Sequence, residues 1–262
     1  MFFLPIGDDN PHTQRPWVNY ALIAACVAVY LWQASLGQRG EVAVYVFGLI
    51  PGELFGAVEV DERIGRIPGV LTLFTSMFLH GGIMHLLGNM LYLWIYGDNV
   101  EASLGHGRYL LFYVLCGVAA ALTQTLAAPD SPVPMIGASG AISGVTGAYL
   151  VLHPRANIRV FVWIIVYISI WHVPAFIVLG LWFAGQLISS AGVDPGQPGV
   201  AFMAHIGGFV AGAVLVFFFR KPSVPVFDRP RSRPFEHHTR PLRTGRRGII
   251  PDSGSDRRGP WG

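Results

Sequence analysis

Residues 200–221 read VAFMAHIGGFVAGAVLVFFFRK. The run is uncharged from 200 to 219 apart from one ionisable side chain, His205, and it ends at two basic residues, Arg220 and Lys221. About 20 predominantly apolar residues are the length that an α-helix needs to cross a bilayer. This stretch therefore predicts a membrane-spanning helix that carries a histidine inside it.

The composition of the whole chain also indicates a membrane protein. Charged residues make up 13% of the 262 residues and hydrophobic residues 52%, with a mean hydropathy of +0.49, whereas soluble domains carry about 25% charged residues. A soluble fold cannot cover that much apolar surface with so few charges. The apolar runs over 17–219 exclude disorder there. The two cysteines, Cys26 and Cys116, lie within apolar runs, which excludes a disulfide-stapled secreted protein.

Breaks between the apolar runs predict six membrane spans. The predicted spans are 17–36, 77–97, 108–127, 138–153, 174–190 and 200–219. The run 158–171, separated from the fifth span by Pro174, is predicted to be an interfacial or tilted segment. The expected fold class is an all-α membrane protein built as a six-transmembrane-helix bundle.

The distribution of charge predicts the orientation of the chain. Residues 1–219 carry 7 Lys/Arg and 11 Asp/Glu, a net charge of −4, and residues 220–262 carry 11 and 4, a net charge of +7. Lys and Arg are enriched on the cytoplasmic side, so six spans place both termini in the cytoplasm. The expected organisation is an N-terminal cytoplasmic segment 1–16, a membrane domain 17–219 and a basic, disordered cytoplasmic tail 220–262. The tail has no recognisable nucleic-acid-binding motif, so no nucleic-acid partner is expected.

Four polar side chains lie at a similar depth in three of the predicted spans. His85 and Asn89 are one helical turn apart in the second span, Ser139 lies at the start of the fourth, and His205 lies about a turn and a half into the sixth. All three spans enter from the outside, which predicts that these side chains lie toward the outer surface of the membrane. Ionisable residues inside a membrane are costly and by default mark a functional site.

These residue types fit nucleophilic catalysis. A serine hydroxyl is a weak nucleophile until a neighbouring base accepts its proton, and neutral histidine is the usual base. Attack on an amide carbonyl creates an oxyanion, which His85, Asn89 and the unpaired backbone N–H groups at a helix start can stabilise. The sequence therefore predicts a Ser139–His205 dyad, and no acidic residue in these spans could orient His205.

At these residues the chain resembles the rhomboid family of intramembrane serine proteases. The matching motifs, on the second, fourth and sixth spans in the family's order, are His80-x4-His85-x3-Asn89, Gly137-Ala138-Ser139-Gly140 and Ala204-His205-x2-Gly208-x3-Gly212. The run GDNVE at 97–101 is also similar to the segment after the family's second span. The resemblance covers about 17–219 and implies a rhomboid-like bundle.

The resemblance implies a serine endopeptidase that cleaves single-span or membrane-anchored proteins within or near their transmembrane segments, without a metal or cofactor. Ser139 would be the nucleophile, His205 the general base, and His85 and Asn89 the oxyanion-binding side chains, with His80 in support. The partners would be these protein substrates and the lipid bilayer, and no feature indicates an oligomeric state. Since no organelle-targeting presequence precedes the first span, the bacterial cytoplasmic membrane is the expected location.

The resemblance also implies roles for segments around the site. The loop 37–70 would be the family's membrane-embedded first loop, and the fifth span its mobile substrate gate. The chain departs from the family at Ser143, one turn after Ser139, where some members place an aromatic residue that stacks on the histidine. It also has Ala102 where many members have a second acidic residue.

Two other classes of protein remain as alternatives. A catalytically silent rhomboid-like protein that binds membrane clients would have the same fold, although such proteins usually lack the serine or the histidine. A metal site built from His80, His85 and His205 is disfavoured because no His-Glu-x-x-His pattern is present and no carboxylate lies in those spans to complete it.

Overall fold

In the computed structural model, which describes residues 2–11, 14–59 and 65–228, most of the chain is helical. The helices are α1 (Trp17–Ser35), α2 (Arg39–Phe47), α3 (Pro51–Leu54), α4 (Gly69–Thr75), α5 (Ile83–Leu104), α6 (His106–Ala127), α7 (Ser139–Leu152), α8 (Ala175–Gly192) and α9 (Phe202–Phe219). The strands are β1 (Phe2–Asp8), β2 (Asn157–Ile164) and β3 (Tyr167–Pro174).

By length and composition, four helices of the described part can cross a membrane: α1, α6, α8 and α9. A fifth span results if α5 is joined to α4 and the 3-10 turn Ser76–Phe78, which meet it at 82°. The remaining apolar helix, α7, has only 14 residues. The architecture is that of a multi-helix membrane protein, with four or five spans that meet the length criterion.

The all-α prediction is wrong for the segment 158–171. It forms most of the β2–β3 hairpin, and β1 pairs with β2 to complete a three-stranded antiparallel sheet of order β1-β2-β3. The physical reason is a period-2 pattern of β-branched residues, since Ile158, Val160 and Val162 are buried on one face. A mostly apolar run satisfies a hydropathy criterion in either conformation, and the alternation is the signal that favours a strand.

The second predicted span also differs from the observed helix. α5 begins at Ile83 rather than near residue 77, because Gly81 and Gly82 interrupt the chain after the 3-10 turn and Gly82 is extended, with φ 168°. His80 therefore lies in the break before α5, while His85 and Asn89 lie in its first two turns. At its other end α5 continues to Leu104 and includes the GDNVE run.

Helix α7 is the centre of the bundle, and glycines of α9 allow the backbones of the two helices to approach each other. A Cβ added to Gly208 would lie 2.0 Å from the carbonyl oxygen of Gly140, and one added to Gly212 would lie 1.9 Å from that of Gly144. The matching offsets show that α7 and α9 run parallel, with backbones in direct contact, as small-residue motifs permit.

The end of α5 is tied to α1 by a buried carboxylate. Glu101 is fully buried, and its two oxygens accept hydrogen bonds from the backbone N–H groups of Val18 (3.0 Å) and Asn19 (2.7 Å). These N–H groups belong to the first turn of α1, which has no intrahelical acceptor for them. The negative charge also complements the positive end of the helix dipole. Nδ1 of His106 also contacts a carboxylate oxygen of Glu101.

The first residues after α9 pack against the body of the protein. The backbone N–H of Lys221 donates to the carbonyl of Ser103 (2.9 Å), and the backbone N–H of Phe227 donates to that of Val151 (2.8 Å). The predicted disordered tail 220–262 thus has an ordered beginning, and the rest of it, from residue 229, lies outside the described residues. Cys26 and Cys116 are both free and buried.

The α7–α9 contact predicts opposite effects of one substitution at two glycines. Gly212→Ala should lower the free energy of unfolding by about 2 kcal/mol because the new methyl group overlaps the backbone of α7. Gly180→Ala in α8, where a Cβ meets nothing within 4 Å, should raise it by up to about 1 kcal/mol through helix propensity. Reversible SDS unfolding in mixed micelles measures both, and equal effects at the two positions would contradict the contact.

Candidate active site

Ser139 is the first residue of α7, and a conformationally special glycine precedes it. Gly137 has φ +124°, a backbone region that side chains disfavour, and its N–H donates to the carbonyl of Ser76 (2.9 Å). A Cβ at this position would lie 2.8 Å from Cε1 of His85. Glycine at 137 therefore allows the loop before α7 to pass directly over the His85 ring.

Helix α9 brings His205 to the serine. Nε2 of His205 lies 2.8 Å from Oγ of Ser139, and Nδ1 lies 2.7 Å from the side-chain oxygen of Gln186 in α8. An amide oxygen only accepts hydrogen bonds, so Nδ1 carries the proton and the lone pair of Nε2 faces the serine hydroxyl. In this arrangement Ser139 donates to His205.

The packing around His205 comes from α8 rather than from α7. The indole of Trp182 lies beside the imidazole, with ring centroids 6.0 Å apart and the planes at 35°. Ser143, one turn after Ser139 on α7, donates to the carbonyl oxygen of Ser139 (2.7 Å). A residue of another helix thus supplies the aromatic neighbour that α7 lacks.

His85 and Asn89 line the same cavity as Ser139 and present donors to it. The backbone N–H of Gly81 donates to Nδ1 of His85 (3.4 Å), which leaves the hydrogen of the neutral ring on Nε2, close to Gly137. Asn89 is 7% exposed, and its side-chain nitrogen has no hydrogen-bond partner among the described residues. A buried, unpaired donor costs free energy, and such donors are often kept for a ligand.

His80 lies behind His85 and does not line the cavity. It is fully buried, and its Nδ1 donates to the carbonyl oxygen of Phe78 (3.1 Å). Its ring meets the His85 ring edge-on, with centroids 5.2 Å apart. The contact suits a supporting role, in which His80 limits the movement of His85.

The cavity has a volume of about 610 Å³ and mostly apolar walls. Its polar groups include Ser139, His205, His85 and Asn89, which converge on one region, and its walls include Met77, Ile142 and Trp182. Of the eight residues predicted for the site, Gly140 also lines the cavity, while Gly208 lies at the α7–α9 contact. An apolar cleft with a few converging polar groups is the usual form of a binding site.

Two contributors to this site were missed in the sequence. Gln186 and Trp182 lie four residues apart in α8 and therefore share a face of the helix. The available signal was the single carboxamide in the otherwise apolar run 175–188. Among the residues that the structure describes, no three His, Cys, Asp or Glu side chains come together in a way that could hold a metal ion.

Comparison with known proteins identifies the family. Residues 68–222 match the Rhomboid domain. The chain belongs to the rhomboid family. It is 37% identical over 216 residues to the rhomboid protease GluP of Bacillus subtilis (strain 168), which is 82% of this chain and 37% of that protein. It is also 30% identical over 196 residues to RHOMBOID-like protein 1 of Arabidopsis thaliana, 75% of this chain and 46% of that protein.

One relative shows that family membership alone does not decide activity. The rhomboid chain is 25% identical over 183 residues to inactive rhomboid protein 1 of Drosophila melanogaster, which is 70% of this chain and 11% of that protein. The chain also spans about half the length, or less, of the two other relatives named above. Rhomboid proteins are multi-pass integral membrane proteins, and the family suggests intramembrane proteolysis.

The contact between Gly137 and His85 predicts a local effect on the reactivity of Ser139. Gly137→Ala should slow covalent labelling of Ser139 by a fluorophosphonate about 100-fold, because displacing His85 removes a donor beside the reacting oxygen. Gly56→Ala is the control, since Gly56 also has a positive φ (+73°) but a Cβ there meets nothing within 4 Å. Equal labelling rates in the two variants would contradict the contact, and mass spectrometry of intact protein measures them.

Proposed function

We propose that this rhomboid protein is an intramembrane serine endopeptidase that cleaves single-span or membrane-anchored proteins within or near their transmembrane segments. The observation that carries the proposal is the 2.8 Å separation of Ser139 Oγ and His205 Nε2 in a mostly apolar cavity. This is the distance that a general base needs to take the serine proton. Membership in a family that includes serine proteases supports the assignment.

The first half of the reaction forms an acyl-enzyme. His205 Nε2 accepts the hydroxyl proton as Ser139 Oγ attacks the carbonyl carbon of the scissile peptide bond. The negative charge moves to the carbonyl oxygen, where His85 Nε2–H, the free N–H of Asn89 and the backbone N–H of Ser139 can donate to it. The C–N bond then breaks as the imidazolium returns its proton to the leaving amine.

The second half of the reaction consumes water. His205 accepts a proton from a water molecule as its oxygen attacks the ester carbonyl, and the same donors stabilise the second oxyanion. The ester bond to Ser139 breaks, Oγ regains a proton from His205, and the carboxyl product leaves. Every group that acts in these steps belongs to the chain itself, the substrate or water.

The proposed topology has six spans: α1, the bent α4–α5 pair, α6, α7, α8 and α9. A 14-residue helix such as α7 is ~21 Å long, shorter than the ~30 Å hydrocarbon core. Its N-terminal residue Ser139 would then lie below the membrane surface, beneath the loop that precedes it. With the basic tail in the cytoplasm, both termini lie inside and the site opens to the outside of a bacterial cytoplasmic membrane.

Proteolysis is tested with purified, reconstituted protein and candidate single-span substrates. We expect Ser139→Ala and His205→Ala each to lower the cleavage rate at least about 1,000-fold, with product peptides identified by mass spectrometry. Ser143→Ala is the matched control. It removes a hydroxyl one turn from Ser139 that lines the same cavity but bonds only to a backbone carbonyl, and should change the rate less than about tenfold.

The same proteins separate an enzyme from a silent client-binding relative. A fluorophosphonate should label the wild type at Ser139 and leave Ser139→Ala unlabelled. Full cleavage by purified Ser139→Ala would refute the serine mechanism. Binding of single-span proteins by the wild type, with neither labelling nor cleavage, would favour the silent relative.

A further inference from the structure

We propose that Gln186 is the positioning residue of His205. The site would then be a hydrogen-bonded Ser139–His205–Gln186 triad whose third member is a neutral carboxamide. The inference rests on the proposed function, because it assigns Gln186 to the base of that reaction. Gln186 does not line the cavity, so its effect on a substrate passes through His205.

The geometry places His205 between two partners. Gln186 Oε1 lies 2.7 Å from Nδ1, and Ser139 Oγ lies 2.8 Å from Nε2 on the other side of the ring. Both distances are those of good hydrogen bonds. A third helix, α8, therefore completes a hydrogen-bonded line that the residues of α7 and α9 alone leave open at Nδ1.

The hydrogen bond to Gln186 matters because a neutral imidazole has two tautomers. Only the tautomer with hydrogen on Nδ1 has a lone pair on Nε2 that can accept the Ser139 proton. An acceptor at Nδ1 selects that tautomer, and it also fixes the rotation of the ring that aims Nε2 at Oγ. This is the orienting role of the third residue in a serine-protease triad.

A carboxamide suits this position better than a carboxylate. Removing a carboxylate from water into an apolar interior costs several kcal/mol, and an ionised side chain within a membrane span is costly by any scale. Gln186 offers an acceptor without a charge. It orients the histidine while it stabilises the imidazolium less than a carboxylate would.

The ring contact with Trp182 is an independent sign that α8 holds His205. Trp182 and Gln186 are separated by one helical turn and meet the same imidazole, one at its side and one at Nδ1. Trp182 is also in ring contact with Phe209 (6.1 Å between centroids), one turn after His205 on α9. The face of α8 that carries Gln186 is therefore packed against α9 at the level of the dyad.

Two substitutions separate orientation from packing. Gln186→Leu keeps the approximate volume and removes the acceptor, and it should lower kcat about 100-fold with KM nearly unchanged, since Gln186 is outside the cavity. Gln186→Glu keeps an acceptor and should retain kcat within about tenfold. Its carboxylate favours the imidazolium, so the acid limb of the pH–rate profile should move to higher pH. If the side chain at 186 only fills space, Gln186→Leu should keep kcat and Gln186→Glu should lower it, which is the reverse order.

The pH comparison is internally controlled. Among the described residues, the titratable side chains that line the cavity with His205 are His85 and Tyr92, both on α5, and they are the same in all three proteins. A shift between them therefore reports the change at residue 186. Unfolding midpoints in mixed micelles show whether Gln186→Leu loses activity through loss of fold; a midpoint equal to that of the wild type is expected.

A second measurement does not depend on proteolysis. In protein labelled with 15N-histidine, the His205 signals should show hydrogen on Nδ1 in the wild type and in Gln186→Glu, and a mixture of tautomers in Gln186→Leu. Hydrogen on Nε2 in the wild type, or no change in Gln186→Leu, would overturn the inference even if the protein cleaves substrates. If the wild-type protein neither cleaves substrates nor is labelled at Ser139, the proposed function is wrong. The histidine spectrum still tests whether Gln186 orients His205.

Discussion

The backbones of α7 and α9 touch, and the rest of the site depends on that contact. Gly208 and Gly212 on α9 meet Gly140 and Gly144 on α7 at distances that leave no room for a Cβ. Since the helices are parallel, both begin on the same side of the bundle, and Ser139 and His205 each lie within the first turns of their helix. The absence of side chains at Gly208 and Gly212 thus sets the distance between the two helices that carry the residues of the proposed reaction.

The two ends of the bundle contain different kinds of buried polar group. The site end holds neutral polar groups: a hydroxyl, carboxamides and imidazoles. The opposite end of α5 holds the buried carboxylate of Glu101, which is compensated by two N–H groups of α1 and by His106. About 24 Å of helix separates His85 from Glu101, given a rise of 1.5 Å per residue. A buried charge is stable where a helix terminus complements it, and the site is built without one.

Much of the site could be predicted because each motif falls at a fixed position along a span. Helical periodicity relates His85 to Asn89, and apolar run boundaries place Ser139 and His205 at helix starts. Gln186 could not be found this way, because a single amide in an apolar run has no spacing relation to a residue of another helix. Its partner becomes visible only when α8 and α9 are placed side by side.

The fold could be predicted where an apolar run is helical. The prediction failed where a run of similar hydropathy forms a sheet. The run 158–171 has no charge beyond Arg159, so average hydropathy treats it as a membrane segment. Alternation of Ile and Val along it carries the conformational information, and pairing with β1 is a long-range contact that no local pattern specifies. The same limit applies to His80, whose place outside α5 follows from Gly81 and Gly82 rather than from its spacing to His85.

The hairpin has a further consequence for the site because it leads directly into α8. The first turn of α8 is fixed to the segment after α7, where Ala175 N–H donates to the carbonyl of Ala156 (2.8 Å) and Phe176 N–H to that of Pro154 (2.9 Å). Beyond its first turns α8 is more exposed, because its buried residues are Ala175 and Leu179. Gln186 lies past both, so the residue that orients His205 belongs to the less supported part of the helix. The distance from Ser139 to His205 is therefore set by a rigid pair of helices, while the orientation of the imidazole depends on where a more exposed third helix lies.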